Sequence, residues 1–349
     1  MGISSRLEYL KNNNQKIKGI LILDDGGHLF NRMLAGMLHV THAGVNSIPV
    51  VGIEQTSSGV FSSRCALYPV IEVATSAAKQ LEAPMLAKLI EQQLSQTIKI
   101  CLAPYNSEQT PIEFKHLTYG IIGLGNIGMA ALAQYQALGF KNIVIFDADP
   151  AKLVPLLSRD VTIAQNPVDF LSKADVILGC TGKDFMAPHF IDCLEKMQHP
   201  RKFPRIFVSL SSKDTEFNSL LVKIHQDNRN GPIDPLKNIF YPKLNPHSIV
   251  LGAGMPFNFL PVNSGSLEYS IPQDDIQLTR GLLAAAIIQA YNMMQSNYSR
   301  IAKQYSLDAQ WQSFIVKTWL ELTHRNRIPE FNDLEWIEAN SGGEAFPPA

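Results

Sequence analysis

Cysteine is scarce: Cys65, Cys101, Cys180 and Cys193 are the only four, and they stand far apart. Such spacing gives neither a zinc-binding pattern nor a disulfide framework, so a metal-stapled or disulfide-stapled scaffold is excluded and a reducing, cytoplasmic setting is expected. Charge of either sign is also sparse. Asp, Glu, Lys and Arg make up 17% of the chain and the formal net charge is -1. No basic field is available for a nucleic-acid backbone or an anionic membrane. Long apolar runs are missing as well. The nearest, "LTRGLLAAAIIQAYNMM", holds eight apolar or small residues between Arg280 and Gln289, far short of a membrane span. The opening "MGISSRLEYLKNNNQ" has no apolar h-region of a signal peptide, and Arg6 occupies the position where a myristoylation signal needs Ser or Thr.

What the sequence does have is apolar bulk and alternation. With 349 residues and 46% hydrophobic composition, there is material for two cores. "IKGILIL", "IPVVGI" and "YPVIEV" read as buried strands, separated and followed by helical stretches, the longest from about Ser76 to Ile100. "LAPYNSEQTPIEFKHL", with two prolines, breaks the pattern. A second alternation follows, with strands at "LTYGIIGLG", "NIVIFDAD", "ADVILGCTG", "PRIFVSLSS", "NIFYPKL" and "SIVLGAG". From about Asp274 onward the chain looks helical. The prediction is an α/β protein of two doubly wound parallel-sheet domains. One comprises residues 1–110 and 265–349, and the other is a Rossmann domain at 111–264.

The strongest local signal is "YGIIGLGNIGMAALAQYQALGFKNIVIFDADP". Gly123, Gly125 and Gly128 form a G-x-G-x-x-G loop between a strand and a helix, with Asn126 and Ile127 completing it. The first glycine permits a tight turn, the second a close approach of backbone to a pyrophosphate, and the third close helix–strand packing. The anion then rests on the helix N-terminus. Asp147 ends the next strand, 19 residues after Gly128, where a carboxylate accepts hydrogen bonds from a ribose diol and repels a 2′-phosphate. No Arg follows it, so the expected cofactor is NAD rather than NADP.

Several motifs, taken in order, give the chain a resemblance to the S-adenosylhomocysteine hydrolase family. They are "LILDDGGHLF", "VVGIEQTSSGV", "YPVIEVATSAAKQ", the glycine loop, "ADVILGCTG" and "IVLGAGMPFNF", spread over roughly residues 17 to 300. The resemblance implies the two-domain architecture of formate/glycerate dehydrogenases, with a smaller flavodoxin-like substrate domain beside the NAD domain. It implies that Thr56, Ser57, Ser58, Thr181 and Asn258 line the cofactor site, that Asp25 lies by a substrate sugar, and that Lys79 moves protons at the oxidised carbon. It also implies a homodimer and a small-molecule substrate.

The departures are specific. Only 23 residues precede Asp24, where the family has about a hundred more. Gln55 replaces a sugar-binding Glu, and Ala83 and Pro84 replace an Asp-Asn pair. No His lies near Gly265, and the tail "SGGEAFPPA" lacks the family's Lys and Tyr. Hydrolysis of S-adenosylhomocysteine itself is therefore not expected. The expected function is an NAD-dependent redox enzyme on a small hydroxylated or nucleoside-like substrate, with a non-catalytic NAD-binding sensor as the alternative. An ordinary 2-hydroxyacid dehydrogenase ranks last, because that chemistry wants an Arg and a late His–acid pair. "SLSSKDTEF" offers Lys213, and no His follows Asn258 until His324.

Asp24 is expected to cap the helix that follows it and Asp25 to face a cleft, with Gly26 and Gly27 turning the chain. His28 is a weaker acid–base candidate. His39 and His42, three apart, do not make a metal site on their own. Cys180 reads as a small buried residue rather than a nucleophile.

Overall fold

The computed structural model describes residues 18–29, 49–60, 63, 66–106, 112–197, 203–211, 215–227, 237–244, 247–257, 260, 273–296 and 303–323. They divide into two compact units. Unit 1 is Met1–Glu82 with Gln273–Ala349, and unit 2 is Ala83–Pro272.

Unit 1 is built on a parallel sheet of four strands: β1 (Ile20–Asp24), β2 (Val50–Glu54), β3 (Val70–Glu72) and β11 (Gln304–Ser306), in that spatial order. β2 and β3 are buried along their whole length, as parallel strands covered on both faces must be. β11 corrects the sequence reading, which expected only helices in this region. Its three residues, "QYS", are too short and too polar to register as a strand. They pair because Gln304 is tied into the sheet: its Nε2 donates to Glu72 Oε1 at 2.7 Å and lies 2.7 Å from Ser63 Oγ.

Helices α1 (Ala77–Gln80), α8 (Gln273–Gln295) and α9 (Ala309–Leu322) belong to this unit. Two buried glutamines join them. Gln289 on α8 bonds Ser306 O and the Asp308 N–H, each at 2.9 Å. Gln312 on α9 bonds Leu307 O at 2.7 Å and the Ala78 N–H of α1 at 3.1 Å.

Unit 2 is a seven-stranded sheet of order β6-β5-β4-β7-β8-β10-β9. Its strands are β4 (Tyr119–Ile122), β5 (Ile143–Phe146), β6 (Thr162–Ile163), β7 (Val176–Gly179), β8 (Arg205–Ser209), β9 (Ile239–Tyr241) and β10 (Ser248–Val250). All pairings are parallel except β9 with β10. The order runs outward from β4 in both directions, which is the Rossmann arrangement, and the crevice of such a sheet opens at the carboxyl ends of the two strands flanking the reversal, here β4 and β7.

Helices cover both faces. On one lie α2 (Glu82–Leu102) and α3 (Asn126–Ala137). Ile90, Leu94, Ile98 and Leu102 of α2, one turn apart, are buried against Leu132 and Tyr135 of α3 and the strands. This packing is why α2 goes with unit 2, although the sequence reading starts that half at residue 111. On the other face lie α5 (Pro167–Lys173), α6 (Pro188–Lys196) and α7 (Asn218–Asp227), whose Phe170, Leu194 and Leu220 are fully buried. The short α4 (Pro150–Leu153) follows β5. Tyr119, Tyr135 and Phe140 pack with ring centroids 4.8–5.0 Å apart and seat α3 on the sheet. Among the described residues no helix is long and apolar enough to cross a membrane.

Candidate functional site

In unit 2 the three glycines of the loop are distinguished by what surrounds them. Gly123 has φ +90°, and a Cβ there would lie 2.7 Å from the carbonyl carbon and oxygen of Cys180. The turn therefore needs glycine twice over, for its backbone conformation and for its approach to the loop after β7. Gly128 lies under the Gly123 carbonyl, and a Cβ there would sit 1.9 Å from that oxygen. Gly125 is different. Its φ of -76° suits any residue, and a Cβ there would meet nothing within 4 Å. The protein's own packing does not call for glycine at this position. What glycine does is keep open the space over the N-terminus of α3, where Asn126 and Ile127 begin the helix and free N–H groups favour an anion.

Asp147, at the end of β5, closes the other side. Its Oδ2 accepts from Leu124 N–H at 2.6 Å and its Oδ1 from Asp149 N–H at 2.8 Å, while Lys152 Nζ stands 3.3 Å from Oδ2. Burial pushes this carboxyl up, but the two backbone N–H groups and the Lys152 ammonium outweigh burial and hold it below the usual carboxylate range. The carboxylate is thus charged and fixed in place, as a partner for a ribose diol must be.

Thr181 follows β7. Its N–H and hydroxyl both donate to Glu216 Oε1, at 2.7 and 2.8 Å, and the Gly182 N–H donates to Glu216 Oε2 at 2.9 Å. Glu216 is completely buried. It anchors the loop that borders the glycine turn. Burial raises its carboxyl above the ordinary value, against the pull of these hydrogen bonds. Desolvation, with the Glu216 charge adding, also pushes the Cys180 thiol well up, which disfavours the thiolate; the residue is half-buried rather than fully buried as the sequence reading expects.

In unit 1 each of the first three strands ends in an acid, and the register sets Asp24 beside Glu54 and Glu54 beside Glu72. All three are buried. Glu54 plays in unit 1 the part that Glu216 plays in unit 2. Its Oε1 accepts from Gly26 N–H at 3.1 Å, Thr56 N–H at 2.8 Å and the Thr56 hydroxyl at 3.2 Å. One carboxylate oxygen therefore ties the turn after β1 to the turn after β2. Its Oε2 has no hydrogen-bond partner among the described residues, and Gly59 packs so closely that a Cβ there would lie 1.9 Å away. Gly26 and Gly27 have φ of +92° and +75°, which bears out the sharp turn expected after Asp25.

Asp25 is exposed, its Oδ2 3.5 Å from Gln55 Nε2. Asp24 is buried and accepts the Asp25 N–H on Oδ1 at 2.9 Å. Ser57 and Ser58 lie in the short 3-10 turn Ser57–Gly59. Lys79, on α1, is half-buried and engaged, with Nζ bonded to Glu82 Oε2 and, at 2.7 Å, to Thr279 Oγ1 of α8. Asn258, His39 and His42 lie outside the described residues. Among the described residues no group of three or more His, Cys, Asp or Glu side chains could hold a metal ion.

Sequence reasoning missed Glu54, Glu82 and Glu216. Glu54 carried a signal, an acid closing an otherwise apolar run. Glu216 carried none, since its partners lie 34 and 35 residues earlier.

Residues 118–199 match the family model described as the NAD binding domain of 6-phosphogluconate dehydrogenase. Unit 2 carries an NAD-binding domain. No curated protein matches the sequence. Among solved structures, the chain is similar to an apo D-lactate dehydrogenase from Escherichia coli (16% identity, 64% of this chain and 69% of that one, TM-score 0.35). It is similar to a D-isomer specific 2-hydroxyacid dehydrogenase from Lactobacillus delbrueckii ssp. bulgaricus in its NAD-complexed form (12% identity, 94% and 96%, TM-score 0.33). A third is a glyoxylate reductase from Paecilomyes thermophila (16% identity, 80% and 85%, TM-score 0.38).

Glu54 also yields a pH prediction. Burial, with the neighbouring Asp24 charge adding, raises its carboxyl above the ordinary 4.5, and the hydrogen bonds from Thr56 and Gly26 only partly oppose this. A raised folded-state value means that the stabilising contribution is complete below pH 4.5 and is lost as pH climbs through the folded-state value. Glu54→Gln cannot ionise. The variant should gain on the wild type as pH rises from 4 to 8, by on the order of 1 kcal/mol. Urea denaturation at stepped pH measures this, and a pH-independent difference between the two proteins would rule it out.

Proposed function

We propose that the protein is an NAD-dependent redox enzyme acting on a small hydroxylated or nucleoside-like substrate. In this reading it shares the scaffold of the S-adenosylhomocysteine hydrolase family with a different substrate pocket. The observation that carries the reading is Gly125: a glycine that neither its own backbone nor its neighbours require, standing over a helix N-terminus beside a fixed carboxylate. That combination suits a pyrophosphate at Gly125–Gly128 and a ribose at Asp147. Bound NAD supplies a hydride acceptor. The chain's part is to orient: Leu124 N–H holds Asp147 in place, and Glu216 holds Thr181 and Gly182. On the substrate side, Asp25 is exposed and acidic at a strand end. Lys79 supplies an ammonium whose Nζ contacts Glu82 and Thr279.

That engagement of Lys79 favours a second reading, a non-catalytic NAD-binding protein, because a lysine already paired with a carboxylate and a hydroxyl has fewer bonds to offer a substrate. The two readings part on Lys79→Met, which abolishes turnover in the first and changes only stability in the second.

The test of the shared premise is native mass spectrometry of wild type and Gly125→Val. Wild type should carry one NAD per chain, and the same spectrum reports whether the assembly is the homodimer this reading includes. Gly125→Val should lose the cofactor, with affinity falling about a hundredfold or more, while its urea midpoint stays near that of wild type. Equal NAD occupancy in the two proteins would refute the assignment.

A further inference from the structure

Asp147 is the residue expected to reject a 2′-phosphate, and its rejection depends on its net charge. That charge is not bare. Lys152 Nζ lies 3.3 Å from Asp147 Oδ2, and the pair is asymmetric in exposure: the Lys152 side chain is 45% exposed and that of Asp147 8%. The lysine is placed there by local structure. Asp149 caps α4, its Oδ1 accepting the Ala151 N–H at 3.0 Å, and Pro150 opens the helix. Lys152 then falls in the last turn of α4, one turn beyond the cap and facing back to β5. The Asp149 carboxylate is occupied as the cap. Lys152 is thus a solvent-reachable cation at the one position where NAD and NADP differ.

We propose that Lys152 is a specificity-determining residue of the dinucleotide site, the counter-charge that weakens the discrimination of Asp147 against a 2′-phosphate. This rests on the dinucleotide reading above and goes beyond it, since an acid at residue 147 with no Arg after it implies only that NAD is preferred over NADP. A lysine differs from an arginine here: it meets a phosphate as a point charge rather than by a bidentate fork, so it tolerates the phosphate without demanding it.

Two consequences follow from the charges. With Lys152 neutralised, Asp147 faces the 2′-phosphate uncompensated, and NADP binding suffers while NAD binding, which meets only hydroxyls there, does not. With Asp147 neutralised, Lys152 is released and becomes a phosphate ligand.

Isothermal titration with NAD and with NADP, on purified wild type, Lys152→Gln, Asp147→Ser and the double variant, tests both. Lys152→Gln should weaken NADP about tenfold and NAD less than threefold. Asp147→Ser should strengthen NADP about tenfold or more relative to wild type, and most of that gain should vanish in the double variant. A tenfold change is about 1.4 kcal/mol, within the range of one charge pair at a partly exposed site. Equal shifts for both dinucleotides on Lys152→Gln, or the same NADP gain with and without Lys152, would overturn the role of Lys152 and leave the dinucleotide site standing. Failure of wild type to bind either dinucleotide would bring down both. The four-protein comparison gives a result even if wild type binds NADP too weakly to measure, since the Asp147→Ser pair still reads the contribution of Lys152.

Discussion

Gly128→Ala should cost unit 2 about 3 kcal/mol or more, among the largest losses any single methyl group can cause here. The added Cβ would stand 1.9 Å from Gly123 O and 3.4 Å from Cys180 Cβ. The first of these is backbone, so no rotamer change relieves it; α3 must lift off β4. Gly125→Ala, three residues away in the same loop, is the control. Its Cβ meets nothing within 4 Å, and its stability should stay within about 1 kcal/mol of wild type. Urea denaturation followed by far-UV circular dichroism separates them. If the two alanines proved equally destabilising, close packing of helix on loop would not be what residue 128 provides.

Glu216→Ala should destabilise by about 3–5 kcal/mol. The substitution leaves the part-buried N–H groups of Thr181 and Gly182 without the acceptor that the buried Glu216 side chain supplies, and donors that lose their partner away from bulk water are expensive. It also removes the side chain against which Gly179 packs, so closely that a Cβ at Gly179 would lie 2.3 Å from Glu216 Cγ. Glu216→Gln is the informative companion. It keeps the shape and one acceptor oxygen but turns the other end into a donor facing donors, so it should fall between wild type and alanine. A loss below about 1 kcal/mol for Glu216→Ala would mean that the Thr181–Gly182 loop is held by something else.

Glu216 also marks the limit of what the sequence could reveal. The glycine loop was legible because its spacing between a strand and a helix is a local pattern of six residues; the structure then shows that packing demands glycine at Gly123 and Gly128 and leaves Gly125 unconstrained. Asp147 was legible by its distance from that loop, though only the structure gave its engagement by Leu124 and Lys152. The buried clamps were not. Glu54 and Glu216 act across 28 to 35 residues of chain; the apolar run that Glu54 closes marks it as buried but names no partner, and nothing in periodicity or composition distinguishes Glu216 from a glutamate that faces water. Lys79 illustrates the same gap from the other direction. Its pairing with Glu82 is local and could have been read from the i, i+3 spacing, but its bond to Thr279 spans 200 residues. β11 escaped because three residues, two of them polar, give period-2 reasoning nothing to count; a side-chain anchor, not a propensity, places it.

That last strand bears on how the chain is made. The described strands of unit 2 all lie in one uninterrupted stretch, so its sheet can assemble while synthesis continues. The sheet of unit 1 cannot, because the strand that pairs with β3 is β11, whose Gln304 bonds Glu72 from 232 positions later. At translation rates of roughly 5–20 residues per second, the edge of β3 waits on the order of 10–50 s for its neighbour. A ribosome stalled just short of residue 304 would thus hold every described strand of unit 2 while the sheet of unit 1 still lacked its fourth strand.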